Sequence, residues 1–293
     1  MKDNSMSSRI FDAFNCAFLA FLALLCFMPM VHVMALSLSD SVSANTNAVL
    51  FLPKGANFEA YKMVFGNPKF LRAFGVSVFR TAVGTGANLL LTILAAYPLS
   101  KEANQLRGRT LIVGYFIIPM MISGGLIPMF ILISKIGLMD SIWALILPGA
   151  CNVGYVIMMM NFFRGINKSL LESAVIDGAN EFVILFRIVL PMSMASVATI
   201  ALFCVVAHWN EWFGGTIYLN ARDLWPLQTL LKTMMVQLDL TGMRPDEIAR
   251  IKLLSDRSFR AAQVMFATVP ILFVYPFAQK YFIKGVTLGS VKE

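Results

Sequence analysis

Charged side chains are scarce in this sequence. They make up 14% of its 293 residues, where a soluble domain carries roughly a quarter. With 58% hydrophobic residues and a mean hydropathy of +0.73, that scarcity excludes an ordinary soluble fold. Cysteine is sparse too. Cys16, Cys26, Cys151 and Cys204 each lie in an apolar run without the close spacing of a metal site. They therefore read as small buried hydrophobes, and neither a disulfide framework nor a bound metal is expected. No Gly-x-x-x-x-Gly-Lys-Ser/Thr phosphate loop occurs, so the chain does not bind and hydrolyse ATP in the usual way. A basic arm is also missing. The net charge of +8 comes from Lys and Arg scattered between hydrophobic runs, which fits anchoring of loops against anionic headgroups better than nucleic-acid binding. Internal repeats and low-complexity segments are absent as well.

What is abundant is long apolar sequence, enough for six spans of about 20 residues each. The expectation is an all-α polytopic membrane protein. Span one runs over 11–38, too long for a cleaved leader although Lys2 and Arg9 precede it and Val42-Ser43-Ala44 is cleavage-like. His32 near its outer end reads as a hydrogen-bonded packing residue. A polar connection over 39–72 is long enough for some fold of its own. Span two, 73–99, contains Arg80, which must face a wet cavity, pair, or snorkel to headgroups as an anchor. Span three, 111–133, carries Gly124, Gly125 and Pro128, a combination that bends or loosens a helix. Span four, 142–163, contains Pro148, Gly149, Asn152 and Tyr155, polar groups that either line a path or pack against neighbours. Span five, 191–217, ends in His208-Trp209-Asn210-Glu211-Trp212-Phe213, roughly 30 Å beyond Pro191 at 1.5 Å per residue. Its tryptophans read as an aromatic belt at the far face, while Asn210, Glu211 and Trp212 together also suit the mouth of a sugar-binding cavity. A long outer loop over 220–260, with a charged helical pattern at 245–252, leads to span six, 261–282.

Between spans four and five lies a short polar stretch, 169–191, that reads as two small helices joined at a glycine. Ser169 and Glu172 have the spacing of a capping box. Leu171, Ala174, Val175 and Gly178 fall on one face, and Asn180 caps a second helix whose stripe is Phe182, Leu185, Phe186 and Val189. Such an elbow has an apolar side too small to fold alone, and docking into a groove is the recognised way to bury it.

The same residues carry a resemblance. Glu172, Ala174 and Gly178, followed after nine residues by Ile188-Val189-Leu190-Pro191, resemble the cytoplasmic coupling signature of the membrane subunits of binding-protein-dependent ABC importers, Glu-Ala-Ala, three residues, Gly, nine residues, Ile-x-Leu-Pro. Ser173 stands where the signature has a second alanine. The Gly124–Pro128 stretch and the tail from Lys284 to Lys292 are similar to carbohydrate-importer subunits, particularly the smaller subunit of oligosaccharide importers. The resemblance implies the type I ABC importer fold: an N-terminal helix and outer loop over 1–71, a transmembrane domain over 72–283 with a coupling helix at 169–190, and a cytoplasmic tail over 284–293. It implies a bacterial inner-membrane protein with both termini cytoplasmic. The three basic residues of the 101–109 turn, against Lys135 alone in the 134–141 connection, point the same way.

The implied partners are a second, different membrane subunit, a dimer of cytoplasmic ATP-binding subunits and an extracytoplasmic solute-binding protein. ATP and Mg would bind the separate ATPase, so this chain is a transporter subunit without a cofactor, not an enzyme. In coupling, Glu172 is expected as the cap and polar contact, Ala174 and Gly178 as a close-packing surface, Asp177 at the rim, and Leu190-Pro191 as the join to span five. Arg80, Gly125, Asn152, Tyr155, Asn210, Glu211 and Trp212 are the candidates for the translocation path. The substrate class is an oligosaccharide. A net charge of about +2 on each long outer connection favours an acidic one, with alginate the leading expectation from overall resemblance. Two rivals are an ion-coupled secondary transporter, which needs carboxylates at mid-membrane, whereas Glu211 lies near the end of its span, and an intramembrane serine hydrolase built on Gly75-Val76-Ser77 and His208.

Overall fold

The computed structural model describes residues 6–102, 105–122, 124–236 and 256–289. Every regular element among them is helical. They fall into two compact units, residues 1–68 with 234–269 and residues 69–233 with 270–293.

In the first unit α1 (Met6–Ser37) is a helix of 32 residues whose side chains are almost all exposed. Phe11, Phe14, Phe18 and Phe21 point outward, as a helix solvated by lipid or covered by another subunit requires. Cys16 and Cys26 share that exposure, and so does Cys151 in the second unit; only Cys204 is buried. The expectation of four buried cysteines is therefore corrected: three of the four are exposed within this chain. His32 donates from Nδ1 to the Leu50 carbonyl at 2.7 Å, as a packing histidine should. The connection after α1 has structure of its own. Asp40 caps α2 (Ser41–Asn45) by accepting from the Ser43 N–H at 2.8 Å, and α3 (Glu59–Gly66) follows. Gly55, at φ +60°, lets the loop close over Asp40; a Cβ there would lie 2.0 Å from Oδ2. The helical pattern expected at 245–252 lies outside the described residues.

The second unit is built on α4 (Pro68–Ser100), which is 33 residues long and apolar enough to cross a membrane. Expected spans three, four and five are not single helices. Span three is broken at Gly125 (φ +82°) into α5 (Arg109–Met121) and α6 (Leu126–Lys135), and Pro128 sits in the first turn of α6, where its missing N–H leaves no bond unmade. Span four is corrected further. A 3-10 turn (Ile142–Leu145) gives way to non-helical backbone through Pro148 and Gly149, and α7 (Val153–Arg164) starts only at Asn152, whose side chain caps it.

The elbow comprises α8 (Lys168–Ile176), α9 (Glu181–Ile184), a π turn (Leu185–Val189) and α10 (Leu190–Met192). The π turn ends two residues before Pro191, which has no N–H and whose ring crowds the carbonyl four residues back, at Arg187 inside the turn; widening the turn accommodates it. At Ser193 the chain bends by 81° into α11 (Met194–Asn210), so Pro191 ends the elbow and does not begin span five. Glu211 and Trp212 interrupt that span before α12 (Phe213–Tyr218), and α13 (Leu227–Val236) follows. The backbone of α14 (Asp256–Gly289) continues through Pro270 and Pro276 into the expected tail.

The buried core of the second unit gathers Ile93, Ala96, Met159, Phe163, Ile184 and Ile200 from α4, α7, the elbow and α11. Close approach of α4 and α11 depends on Gly84: a Cβ there would fall 2.6 Å from the His208 ring. Because His208 is held by a 2.7 Å bond to Asn88, the ring cannot simply step aside. Gly84→Ala should lower stability by about 1–3 kcal/mol, as overpacking does. Thermal unfolding in detergent checks this, and Gly84→Ala with His208→Ala should be less destabilised than the sum of the two single variants.

Candidate functional site

Two sites stand out, a polar cavity along α4 and the elbow at its end. The cavity follows from the interruptions. Backbone that leaves a helix inside a membrane needs new hydrogen-bond partners and is tolerated where it is buried in protein or lines a cavity. Asn88 on α4 supplies them: its Nδ2 donates to the carbonyls of Gly149 and Ala150 at 2.7 and 3.1 Å. With the amide nitrogen so occupied, Oδ1 faces His208 Nε2 at 2.7 Å, which makes Nε2 the protonated ring nitrogen. Two turns earlier Arg80 donates from Nη1 to the Glu211 carbonyl at 3.0 Å and from Nη2 to the Leu145 carbonyl at 3.4 Å. Arg80 Nη2 also pairs with Glu211 Oε2 at 2.7 Å. Glu211 Oε1 accepts the N–H of Gly214, so this carboxylate also holds the start of α12.

Arg80 is therefore buried, with 3% of its surface exposed, and is not a snorkelling headgroup anchor. It lines a cavity of about 350 Å³ together with Asn152, Tyr155 and Glu211 from the expected path residues, and with Asn88 and His208, which the sequence reading missed. The signal for Asn88 was present: Ser77, Thr81, Gly84, Asn88 and Thr92 recur at helical spacing, and all lie on the buried face of α4. Gly125, Asn210 and Trp212 are not in the cavity wall. Trp209 is buried edge-on against Phe74, 5.9 Å between ring centres, and does not belong to an aromatic belt. Ser77 accepts the Leu227 N–H at 2.7 Å at the start of α13, while the described contact of the His208 Nε2 is Asn88. The serine-hydrolase pairing is not formed. Between α6 and the 3-10 turn, Asp140 accepts from the Ala221 N–H at 2.9 Å and from Asn220. Those donors hold its carboxyl below the usual range.

At the other end, the capping box is corrected. Asn167 caps α8 by accepting the Ser169 N–H at 3.1 Å; Ser169 lies inside the helix and Glu172 is exposed. The helix closes with the Gly178 N–H on the Val175 carbonyl and the Ala179 N–H on the Ala174 carbonyl, each at 3.0 Å. That closure needs a left-handed residue, and Gly178 has φ +79°. Within this chain nothing lies within 4 Å of where its Cβ would be, so backbone conformation explains the glycine here, not tight packing. Asn180 caps α9 through the Val183 N–H at 2.9 Å, as expected.

One face of the elbow buries Ala174, Ile184, Leu185 and Val189 against the core, with Leu171 partly covered. Val175, Ile176, Phe182 and Phe186 face outward, Ile176 at 85% exposure. The predicted stripe of α9 is thus split, two residues in and two out. Polar contacts brace the elbow from behind. Glu181 accepts from the Tyr97 hydroxyl and from Lys101, whose Nζ lies 2.8 Å from Oε2; Lys168 pairs with Glu102. That carboxylate raises the Lys168 ammonium above its ordinary value. Arg109 and Arg164 both donate to the Leu99 carbonyl at the end of α4.

Comparison with known proteins gives this geometry its setting. The chain is 39% identical over 289 residues to Protein LplC of Bacillus subtilis (strain 168), covering 99% of this chain and 97% of the relative. It is also 39% identical to the polygalacturonan/rhamnogalacturonan transport system permease protein YtcP of the same organism, covering 98% and 100%. Among solved structures, the fold matches a chain in a bacterial ABC transporter involved in the import of the acidic polysaccharide alginate. The TM-score is 0.87, at 30% identity over 96% of this chain and 100% of that one. The chain therefore has the type I ABC importer permease fold and is a transporter subunit, not an enzyme. Its class works with a second permease, a separate ATPase and a solute-binding protein. With these relatives the chain is a sugar importer permease, and residues 88–288 match the family described as binding-protein-dependent transport system inner membrane component, to which the chain belongs.

Proposed function

We propose that this chain imports an acidic, uronic acid-bearing oligosaccharide by alternating access, with the elbow as the lever that receives force from the ATPase. The observation that carries the lever is the pairing of an outward apolar face, Val175, Ile176, Phe182 and Phe186, with a fixed back. A contact that biases a two-state equilibrium must be rigid. Asn167, Asn180 and Gly178 fix the two short helices, and Tyr97, Lys101 and Glu102 tie them to the end of α4. The outward face docks in a cleft of the ATPase, with Asp177 at its rim and Glu172 as a polar contact; Leu190 and Pro191 carry the motion into the bend before α11. In this reading the elbow, the 101–109 turn and both termini are cytoplasmic. ATP and Mg act on the partner.

The path runs by the cavity of Arg80, Asn152, Tyr155 and Glu211. An acidic cargo is supported by the name of YtcP and by the alginate-importing structure, since galacturonan and alginate are both polyuronates. Relatives named for neutral oligosaccharides match at 27–30% identity. The net positive outer connections favour the same class.

Two outcomes test the lever. Gly178→Leu should leave the amount of this chain in the membrane unchanged and lower ATP-driven uptake in proteoliposomes at least ten-fold; normal uptake would overturn the reading. Glu181→Gln, which removes the charge facing Lys101 while keeping the side chain's size, should lower uptake per ATP hydrolysed. Tyr97→Phe should act in the same direction. Unchanged stoichiometry in both would show that the brace is not needed for coupling.

A further inference from the structure

The Arg80–Glu211 pair is half made. A guanidinium presents a forked edge, Nε and one terminal nitrogen, that takes both oxygens of a carboxylate in parallel. Glu211 does not fill that fork. Its Oε1 is used by the Gly214 N–H, so only Oε2 reaches Arg80, at Nη2. The remaining Arg80 bonds go to backbone carbonyls, and its Nε is buried with no hydrogen-bond partner among the described residues, on a side chain only 4% exposed. A buried N–H of a cation without an acceptor is unfavourable. Arg80 lines a cavity with room for a sugar ring, whose wall also includes Tyr155 and Asn152. Glu211 is the more exposed partner, at 34%, and sits in extended backbone at the gap between α11 and α12, outside any helix.

We propose that the forked edge of Arg80 is the subsite for the carboxylate of a uronic acid ring, and that Glu211 stands in for that carboxylate when no substrate is present. The proposal rests on the acidic-oligosaccharide reading above. Exchanging one carboxylate for another keeps the buried cation compensated throughout, while the displaced Glu211, the more exposed partner, keeps the Gly214 N–H on its Oε1. The exchange also limits the gain, because the incoming group must displace Glu211. Weak, reversible occupancy is what a conducting path needs: favourable enough to enter, loose enough to leave. A neutral ring offers only hydroxyls, which do not compensate a guanidinium, and so leaves Glu211 in place. Arg80 thereby sorts acidic from neutral sugars inside the membrane, after the solute-binding protein has made its own selection.

The test uses the assembled complex of both permeases and the ATPase without the solute-binding protein, so that protein's selectivity does not enter. Saturation-transfer NMR reads weak binding of a short oligogalacturonate, a short oligomannuronate and the methyl ester of each. The wild-type complex should prefer acid over ester at least five-fold. Arg80→Gln combined with Glu211→Gln removes both charges together, leaves no unpaired ion, and should bring the acid-to-ester ratio to about one. If that variant does not accumulate, Arg80→Lys, which keeps the charge and loses the fork, should lower the ratio at least three-fold. A wild-type ratio near one, or a ratio retained in these variants, overturns the proposal. Uptake of the acids by the wild-type system with its binding protein is measured in parallel. Uptake of the acids together with a wild-type binding ratio near one removes this inference alone, while no uptake of either acid removes the substrate reading and this inference with it.

Discussion

The second unit depends on one constraint, that backbone polar groups released inside a membrane must find partners in the protein. An unpaired buried carbonyl or N–H is unfavourable by about 1–3 kcal/mol even in a protein interior, and lipid offers no water to help. Two interruptions release such groups here, one through Pro148 and Gly149 and one at Glu211 and Trp212. The polar face of α4 answers both. Asn88 takes two carbonyls of the first, Arg80 takes the Leu145 and Glu211 carbonyls, and Ser77 receives the N–H of Leu227. Without those three side chains the unwound segments would revert to helix or draw in water, and the cavity they outline would close or flood.

The same helix ends in the brace of the elbow. At 1.5 Å per residue α4 is about 50 Å long, with Arg80 and Asn88 in its middle and Tyr97 and Leu99 at its end. One rigid element thus contacts both the cavity wall and the back of the lever. A displacement of the elbow acts on α4 through Tyr97 and Glu181 and on α11 through the 81° bend at Ser193. The two helices meet again where Asn88 holds His208 and Arg80 holds Glu211. Elbow and cavity are thus joined through α4 and α11 by directional bonds at both ends.

Much of the elbow was legible in the sequence because its signals are local. Asn180, Gly178 and the spacing to Leu190-Pro191 act over a few residues, and each is found at the turn it implies. The error in the first cap is local too: Asn167 and Ser169 both suit an N-cap, and only the start of the turn decides between them. The cavity was legible in part. An arginine and a carboxylate in apolar runs announce themselves by their cost in a membrane, but Arg80 and Glu211 are 131 positions apart and nothing in their neighbourhoods encodes the pairing. Hydropathy averaged over a span hides its breaks. The 142–163 run is apolar whether or not it is helical, so Pro148 and Gly149 looked like features of a helix when they mark its absence. Asn88 was overlooked because a single amide in a long apolar run is common; its meaning depends on the carbonyls that face it.

The division of labour within the elbow follows from what each kind of contact tolerates. In the proposed coupling, a docking face that meets and follows another protein must not strand charges whenever the fit shifts, and the exposed Val175, Ile176, Phe182 and Phe186 would strand none. Their contribution scales with area and survives small rotations. The brace has the opposite task, to hold one geometry, and directional bonds from Tyr97 and Lys101 to Glu181 do that. Reversing the arrangement, with ion pairs outside and apolar packing behind, would give a knob that slides on its own helix and grips its partner only in one pose. Placing directional contacts inside the chain and non-directional ones outside lets force arrive over a broad surface and leave along a fixed axis.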